Sequence, residues 1–356
     1  MGIEKMLEKK SKIINRAIEK YIPRKYGKKS SELTCGKIRY SFNAEAATRS
    51  LSKPAWELLD RGGKRWRPAL FLMIAEALGA DPKKYMDLVV IIEATHDGTL
   101  IIDDIEDSSE LRRGKPCIHK IFGNDIAINA GNAMYYLPLL VLIKNEIKLP
   151  KEKLLRLYEI YAQEMINISL GQGMDIAWHR GLCEPKSVDE YLQMCAFKTG
   201  TLARMAAKFG AVVAGVDDEI IEKMGILAES IGIAFQIQDD ILNLTADSGK
   251  NQFTKEYLGS DITEGKRSIL VVHALSKANK KDRKRLLEIL AMHTSDRTLI
   301  SEAIDIIKKY KSIEYAKDFA RRLVRDAWDG ASTCMKESEA KGMLEAFCDF
   351  AIERGY

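Results

Sequence analysis

The sequence predicts an all-α fold, a single large helical bundle around a central cavity. Apolar residues recur every three or four positions along most of the 356-residue chain, which is the period of an α-helix. Runs of period-two alternation bounded by Asn-Gly or Asp-Gly turns, which predict β-hairpins, are missing. All eight prolines lie at or before residue 185, so the last 171 residues contain no proline to break a helix.

The helical pattern starts in an N-terminal extension, residues 1–42. Its first part predicts a helix that stops before Pro23, and the basic, polar stretch 24–42 predicts a loop. Further helical segments are predicted at 43–60, 66–79, 83–106, 119–147, 151–178, 187–214, 217–246, 266–277, 281–292, 298–311, 313–332 and 334–352. No repeat, low-complexity tract or Gly/Ser linker separates them, so residues 1–356 are expected to form one domain.

Composition argues against several classes of protein. Hydrophobic residues make up 46% of the chain and charged residues 30%, which is ordinary for a globular protein. The net charge of +5 is too small to indicate a nucleic-acid partner or a membrane surface. The longest apolar run, 133–143, is too short for stable membrane insertion. The six cysteines lack metal-type spacing and the N-terminus lacks a signal-peptide pattern, so a cytoplasmic location is expected.

An acidic cluster closes the helix predicted at 83–106. Asp103 and Asp107 are four residues apart, so both side chains lie on one helical face. An open set of carboxylate oxygens suits Mg²⁺, which keeps several waters and takes further ligands from a phosphate. Arg112 and Arg113 follow, and guanidinium groups bind phosphate oxygens in a bidentate manner. The stretch therefore predicts a magnesium–diphosphate site, with a solvated acidic helix end as the alternative.

Two further features lie in the first half of the chain. Residues 62–68 combine two glycines with three cations just before a predicted helix, and helix N-termini with nearby Lys and Arg bind anions. A basic surface loop is the alternative there. His96 lies seven residues before Asp103 on the same helical face, where either a hydrogen-bonded core residue or a ligand would fit.

Three further features lie in the second half. Residues 171–175 place two glycines, Gln and Asp within a long helix, which indicates either close packing or close approach of a ligand. Lys198 lies in apolar surroundings and needs an anionic partner, for which a diphosphate would serve. A second apolar helix ends in paired carboxylates at 239–240, followed by the polar segment 261–266.

In this order, the motifs resemble those of the trans-isoprenyl diphosphate synthase (polyprenyl synthetase) family, and most closely its geranylgeranyl diphosphate synthases. The resemblance runs from about residue 50 to the C-terminus. It rests on GGKRWRP (62–68), DDIED with RRG (103–114), GQGMD (171–175), KTG (198–200) and FQIQDD (235–240) with DITEGK (261–266). Asn243 departs from the third aspartate of the usual second acidic motif, so position 243 is given less weight as a metal ligand.

The resemblance implies an isoprenoid synthase type of bundle, a homodimer, and about three Mg²⁺ ions per active site. It further implies the head-to-tail condensation of isopentenyl diphosphate with an allylic diphosphate. Three carboxylates would hold the metal ions: Asp103, Asp107 and Asp239. Three cations would neutralise the allylic diphosphate: Arg112, Lys198 and Lys266. Four side chains would bind isopentenyl diphosphate: Lys64, Arg67, His96 and Arg113. Two oxygen dipoles would face the allylic cation: Thr199 and Gln236.

Product length is expected to depend on the residues that precede Asp103 on its helix. Four positions form successive floors beneath the metal site, with turns about 5.4 Å apart: Ile92, Thr95, Gly98 and Thr99. In the family, aromatic residues at the two positions nearest the metals accompany fifteen-carbon products, so the small residues here imply at least twenty carbons. The alternative at Gly98 is close packing of a neighbouring helix. The candidate floor residues are Ile92, Tyr135, Tyr136 and Leu139.

Two other classes of protein are open alternatives. A class I terpene cyclase would share the first acidic motif, but it binds no second diphosphate that would engage residues 62–68 or 112–114. A non-catalytic partner subunit of a prenyl synthase is expected to have lost its acidic clusters, whereas this chain has both.

Overall fold

The computed structural model describes residues 13–245 and 258–353, and these are predominantly helical, as predicted. The helices up to the middle of the chain are α1 (13–21), α2 (Lys28–Cys35), α3 (Ala44–Ala47), α4 (Lys53–Leu59), α5 (Trp66–Ala77), α6 (Val89–Glu106), α7 (Ile118–Phe122), α8 (Asn124–Tyr136), α9 (Leu140–Lys144) and α10 (Lys151–His179). The later helices are α11 (Val188–Cys195), α12 (Thr201–Ala214), α13 (Asp218–Thr245), α14 (Ser260–Thr263), α15 (Ile269–Lys277), α16 (Lys280–Ala291), α17 (Arg297–Lys309), α18 (Ser312–Ser332) and α19 (Glu339–Glu353).

The chain forms two compact units. The first comprises Met1–Glu159 with Phe209–Val216, and the second comprises Ile160–Lys208 with Asp217–Tyr356. The expectation of one domain over the whole chain stays a prediction.

In the first unit, α6 is the central helix and packs against α4, α5 and α8. Its first turns are apolar and fully buried, as at Ile91 and Ile92. The contact with α8 is close because two glycines face each other. A methyl group added to Gly98 would lie 2.9 Å from the carbonyl oxygen of Gly131. This packing fixes α6, whose C-terminal end carries the first acidic cluster.

In the second unit, α13 packs against α18, α19 and the wide helical turn at Ala196–Gly200. The close approach again depends on glycine, since a methyl group added to Gly232 would lie 3.0 Å from the Cα atom of Gly200. Apolar side chains such as Ile231 fill the surrounding core. The C-terminal end of α13 carries the second acidic cluster.

A minimal hairpin, absent from the sequence prediction, lies between α6 and α7. Strand β1 (Leu111–Arg112) pairs antiparallel with β2 (Lys115–Pro116). The two turn residues, Arg113 and Gly114, have φ angles of 53° and 72°. Both central residues of a type I′ turn need positive φ, which glycine adopts freely and arginine does not. The sequence Arg-Gly is therefore an unusual hairpin turn, and this hid it from prediction.

Other boundaries also differ from those predicted. The expected loop at 24–42 contains α2. The helix expected at 119–147 is interrupted at Gly123, which has a φ of 89°, and at Pro138, which lies in a tight 3₁₀ turn. Within Asn124–Lys144, an 18-residue window with a mean hydropathy of 1.6 is long and apolar enough to cross a membrane, and 44% of that window is buried inside the protein. A bundle helix with one buried face passes the same test.

Candidate active site

The first acidic cluster lies at the C-terminal end of α6. Asp103 has a side chain 22% exposed, and the side chain of its neighbour Asp104 is buried and 1% exposed. Arg112 donates from Nε to Asp104 Oδ1 at 2.8 Å, and its Nη2 lies 3.6 Å from Asp103 Oδ2. Burial lowers the pKa of this arginine, but the two carboxylates outweigh it and hold the pKa above its usual value. Arg112 is thus positively charged beside the cluster.

The donor chemistry of this helix end fits a magnesium ion. Asp103 and Asp107 present carboxylate oxygens on one face, with Asp107 directly after the last helical residue. Among the residues that the structure describes, no three His, Cys, Asp or Glu side chains form a closed metal cage. Mg²⁺ is commonly held in this way, by one or two carboxylates, waters and substrate phosphates.

The glycine-rich loop at 62–68 and the hairpin lie together in the first unit. Arg113 donates from Nη2 to Asp97 Oδ1 at 2.9 Å and from Nη1 to the carbonyl oxygen of Gly62. The Arg113 guanidinium lies close to the backbone of Gly63, where an added methyl group would be 3.1 Å from it. The absence of a side chain at Gly63 therefore makes room for Arg113. The structure therefore brings together two motifs that are about 50 residues apart in the chain.

His96 lies among cations. Its Nε2 is 3.2 Å from Nη1 of Arg67. Burial lowers the pKa of His96 well below its usual value, and the charges of Arg67 and Arg113 lower it further. The imidazole is therefore neutral at pH 7, and it can accept a hydrogen bond from Arg67. Arg67, His96 and Arg113, all predicted to bind isopentenyl diphosphate, lie in one region of the first unit.

Arg65 differs from the other cations of its loop. Its side chain is 1% exposed and pairs with Glu93 and with Asp97, the latter at 2.7 Å. The sequence prediction grouped Arg65 with the anion-binding cations and overlooked both carboxylates. Their spacing was the available signal: Glu93, Asp97 and Asp104 lie four and seven residues apart in an apolar helix, on one face. Each of the three pairs with an arginine.

In the second unit, Lys198 has a protein partner. Its Nζ lies 2.5 Å from Oδ2 of Asp175, a residue that is 6% exposed. Gly171 makes this possible, because a methyl group there would lie 2.6 Å from the carbonyl carbon of Phe197. Within residues 171–175, Gly171 thus admits the turn that carries Lys198, and Asp175 orients the lysine. The motif therefore serves close packing, through Gly171, and also a polar contact, through Asp175.

Thr199 and Gln236 belong to one hydrogen-bonded chain. Thr199 Oγ1 donates to Gln236 Oε1 at 3.0 Å, and Gln236 Nε2 donates to Asp240 Oδ1 at 2.9 Å. Tyr191 donates its hydroxyl to Asp240 at 2.8 Å. Burial, with the charge of Asp261 next in size, raises the pKa of Asp240 to about 7. Asp240 is therefore the buried acceptor that orients Gln236, and through it Thr199, whereas its neighbour Asp239 is exposed.

The last predicted residues of this unit lie after the second acidic cluster. Lys266 pairs with Glu264 at 2.9 Å. Asn243 donates from Nδ2 to Ser260 Oγ at 2.8 Å and accepts from the backbone N–H of Asp261 at 3.2 Å. This amide therefore fixes the segment that begins α14, which is a structural use of position 243.

The residues predicted to set product length lie on different sides of α6. Ile92 and Thr95 are fully buried, and Thr99 bonds its own helix at the carbonyl oxygen of His96. Gly98 faces α8, as described above, so the packing explanation is confirmed there and a role in product length stays a prediction. Of the facing residues, Tyr136 is 70% exposed, which argues against it as a floor within this chain.

Comparison with known proteins identifies the family. Residues 48–307 match the family model described as Polyprenyl synthetase. The chain belongs to this family. It is therefore a trans-prenyltransferase that elongates prenyl chains, as the sequence motifs predicted.

Several relatives cover nearly the whole chain. A short chain isoprenyl diphosphate synthase of Methanothermobacter thermautotrophicus is 34% identical over 328 residues, which are 92% of this chain and 97% of the relative. A geranylfarnesyl diphosphate synthase of Aeropyrum pernix is 34% identical, covering 85% of this chain and 94% of the relative. The crystal structure of a geranylgeranyl pyrophosphate synthetase from Pyrococcus horikoshii has a TM-score of 0.86 at 31% identity, covering 99% of this chain and 98% of that one. Members of the family use divalent metal ions.

Proposed function

We propose that this polyprenyl synthetase condenses isopentenyl diphosphate with allylic diphosphates and stops at the twenty-carbon geranylgeranyl diphosphate. The observation that supports this product is the small side chain at Thr99, one turn before Asp103 on α6. An aromatic side chain there would shorten the space for a prenyl chain. The named relatives make short products of this range, and they include a geranylfarnesyl diphosphate synthase, so the twenty-five-carbon homologue is the second candidate.

The metal ion of the reaction is proposed to be Mg²⁺, about three ions per active site. Asp103, Asp107 and Asp239 would hold them, and they would supply the positive charge that lets diphosphate leave the allylic carbon. The chain's own cations contribute to the same charge balance: Arg112, Lys198 and Lys266. Arg112 already lies beside Asp103, and Lys198 is oriented by Asp175.

Isopentenyl diphosphate is proposed to bind at the glycine-rich loop and hairpin. Lys64, Arg67 and Arg113 would neutralise its diphosphate, and the neutral His96 would orient Arg67. Their task is to hold the double bond in line with the allylic cation, which is catalysis by positioning. Thr199 and Gln236 would present oxygen dipoles to that cation without quenching it.

Product analysis tests the proposed chain length. With Mg²⁺, isopentenyl diphosphate and labelled farnesyl diphosphate, the wild-type protein is expected to give geranylgeranyl diphosphate. Thr99→Tyr is expected to stop at fifteen carbons when geranyl diphosphate is the primer, since the ring fills the turn before Asp103. Gly98→Phe is unsuitable, because even a methyl group there meets Gly131 and Met134 at 2.9 Å. If wild type and Thr99→Tyr gave the same product, Thr99 would not set product length.

The isopentenyl diphosphate pocket is tested by Arg67→Ala. Loss of a charge-assisted contact to phosphate is expected to raise the KM for isopentenyl diphosphate about ten- to a hundred-fold. The KM for the allylic substrate should change much less. Steady-state kinetics with each substrate varied in turn would measure both constants, with the exposed Arg49→Ala as a control of equal charge change. A rise confined to the allylic KM would reverse the two pocket assignments.

We further propose a cytoplasmic homodimer. The supporting feature is a set of large apolar side chains that are exposed within the chain. On α8 and α9 they are Ile128, Tyr136 and Ile143, and on α10 they are Ile166 and Leu170, each between 42% and 70% exposed. A second copy of the chain would cover such faces, as homodimer interfaces are more apolar than other surfaces.

A further inference from the structure

Arg61 lies outside the motifs described above and donates hydrogen bonds to both strands of the hairpin. It follows α4, and its side chain is 1% exposed. Its Nη1 donates to the carbonyl oxygens of Arg112 at 3.0 Å and Lys115 at 3.4 Å, and its Nη2 donates to that of Pro116 at 2.9 Å. Its Nε donates to the carbonyl oxygen of Glu57 at 3.1 Å. All three guanidinium nitrogens of Arg61 therefore donate to backbone carbonyl oxygens.

The hairpin needs such an external hold. Each strand has two residues, and a two-stranded hairpin is at best marginally stable alone. Its turn also places Arg113 at a φ of 53°, which is unfavourable for a residue with a Cβ atom. Without contacts from elsewhere, little would fix the backbone of Arg112, which ends β1, or of Arg113 in the turn. Arg61 supplies contacts to both strands.

The hairpin makes the reciprocal contact. Arg113 donates from Nη1 to the carbonyl oxygens of Gly62 and of Leu58, the latter at 3.5 Å. Its guanidinium also lies over Gly63. Each of the two segments thus sends one arginine to the backbone carbonyls of the other. The two crossed contacts join the loop after α4 to the hairpin at two separate points, which prevents rotation of one against the other.

We infer that Arg61 is a positioning residue that locks the glycine-rich loop and the hairpin into one anion-binding surface. The inference rests on the substrate-binding roles proposed above for Arg67 and Arg113. Its consequence is that affinity for the diphosphate of isopentenyl diphosphate depends on a side chain that does not touch it. The donors of Arg61 are occupied by backbone carbonyl oxygens, so Arg61 makes no contact with phosphate. Its role is to fix the relative positions of Arg67 and Arg113.

The test is the kinetics of Arg61→Met, which keeps an unbranched apolar stem and removes the guanidinium donors. We expect the KM for isopentenyl diphosphate to rise about ten-fold with kcat changed less than about three-fold. A purely structural loss would lower the fraction of active protein, and so kcat, without moving KM. The matched control is Glu57→Gln, because the Glu57 side chain contacts Arg61 only through a partly exposed carboxylate, 3.3 Å from Nη2, and the change leaves every backbone carbonyl contact of Arg61 intact. It should behave as wild type.

A second variant covers the case in which Arg61→Met does not fold. Arg61→Lys retains the charge and most of the packing, but an ammonium group cannot reach three carbonyl oxygens as a planar fork does. Calorimetry with inorganic diphosphate should then show binding weakened about ten-fold relative to wild type. Unchanged KM in Arg61→Met, or unchanged diphosphate affinity in Arg61→Lys, would overturn the inference.

Arg113→Ala, measured in parallel, distinguishes failure of the inference from failure of the proposed roles. If Arg113→Ala raises the KM for isopentenyl diphosphate and Arg61→Met does not, the roles hold and the positioning function of Arg61 is wrong. If neither variant changes that KM, the pocket assignment itself is wrong.

Discussion

Asp103→Ala and Asp239→Ala are each expected to lower turnover by about a hundred- to a thousand-fold or more while leaving the fold intact. Each change removes a carboxylate proposed to hold Mg²⁺ on the allylic diphosphate. Without the metal charge, the diphosphate leaves too slowly for the allylic cation to form. The fold should survive because both side chains are partly or largely exposed and close no apolar core.

The measurement is the rate of product formation at saturating substrates over a range of Mg²⁺ concentrations, with circular dichroism to confirm folding. Glu110→Gln is the matched control, since this nearby carboxylate is 63% exposed and pairs with the surface residue Lys120. It should retain wild-type turnover. Wild-type rates in Asp103→Ala or in Asp239→Ala would remove that residue from the metal site.

Among substitutions that add a single methyl group in the second unit, Gly171→Ala is expected to lower the stability of the fold most. The added carbon would lie 2.6 Å from the carbonyl carbon and 2.8 Å from the Cβ atom of Phe197, and these are mainly backbone constraints that no rotamer change relieves. Overpacking of this kind costs typically about 1–3 kcal/mol, and more where the backbone must move. The turn at 196–200 would shift, and with it Lys198.

Thermal unfolding followed by circular dichroism would measure the loss, and a lowered midpoint with reduced kcat is expected. Gly173→Ala is the control, because a methyl group there meets no atom within 4 Å and alanine is the better helix former. That variant should be as stable as wild type or more stable by about 0.5–1 kcal/mol. Equal midpoints for the two variants would mean that α10 and the turn are not in close contact.

The fold class was predictable because helical periodicity is a local signal repeated in nearly every segment. The long, strongly periodic helices α10 and α13 lie within one or two residues of their predicted ends. The hairpin was not predictable, because its turn uses Arg113 with a positive φ and is held by Arg61, a partner about 50 residues away in the chain. Contacts of that separation leave no periodic signal in the sequence.

The sequence predicts which charged residues belong to the site, but it does not predict which of them contact each other. Two acidic clusters and several Lys and Arg residues stand out in the sequence by charge and spacing. Arg65 looks identical to its neighbours there, although it is buried against Glu93 and Asp97. At Gly98 the sequence admitted both a tunnel and a packing explanation; the position of Gly131 confirms the packing, and a role in product length stays a prediction. Such assignments depend on which helix faces which.

The most direct test of the proposed reaction is diphosphate release from farnesyl diphosphate by the wild-type protein, with and without isopentenyl diphosphate and Mg²⁺. One diphosphate is expected for each isopentenyl unit incorporated, only when Mg²⁺ and both substrates are present, with geranylgeranyl diphosphate as the product. Release without isopentenyl diphosphate would indicate a cyclase. No release under any of these conditions would indicate a partner subunit, and either result would contradict the proposal.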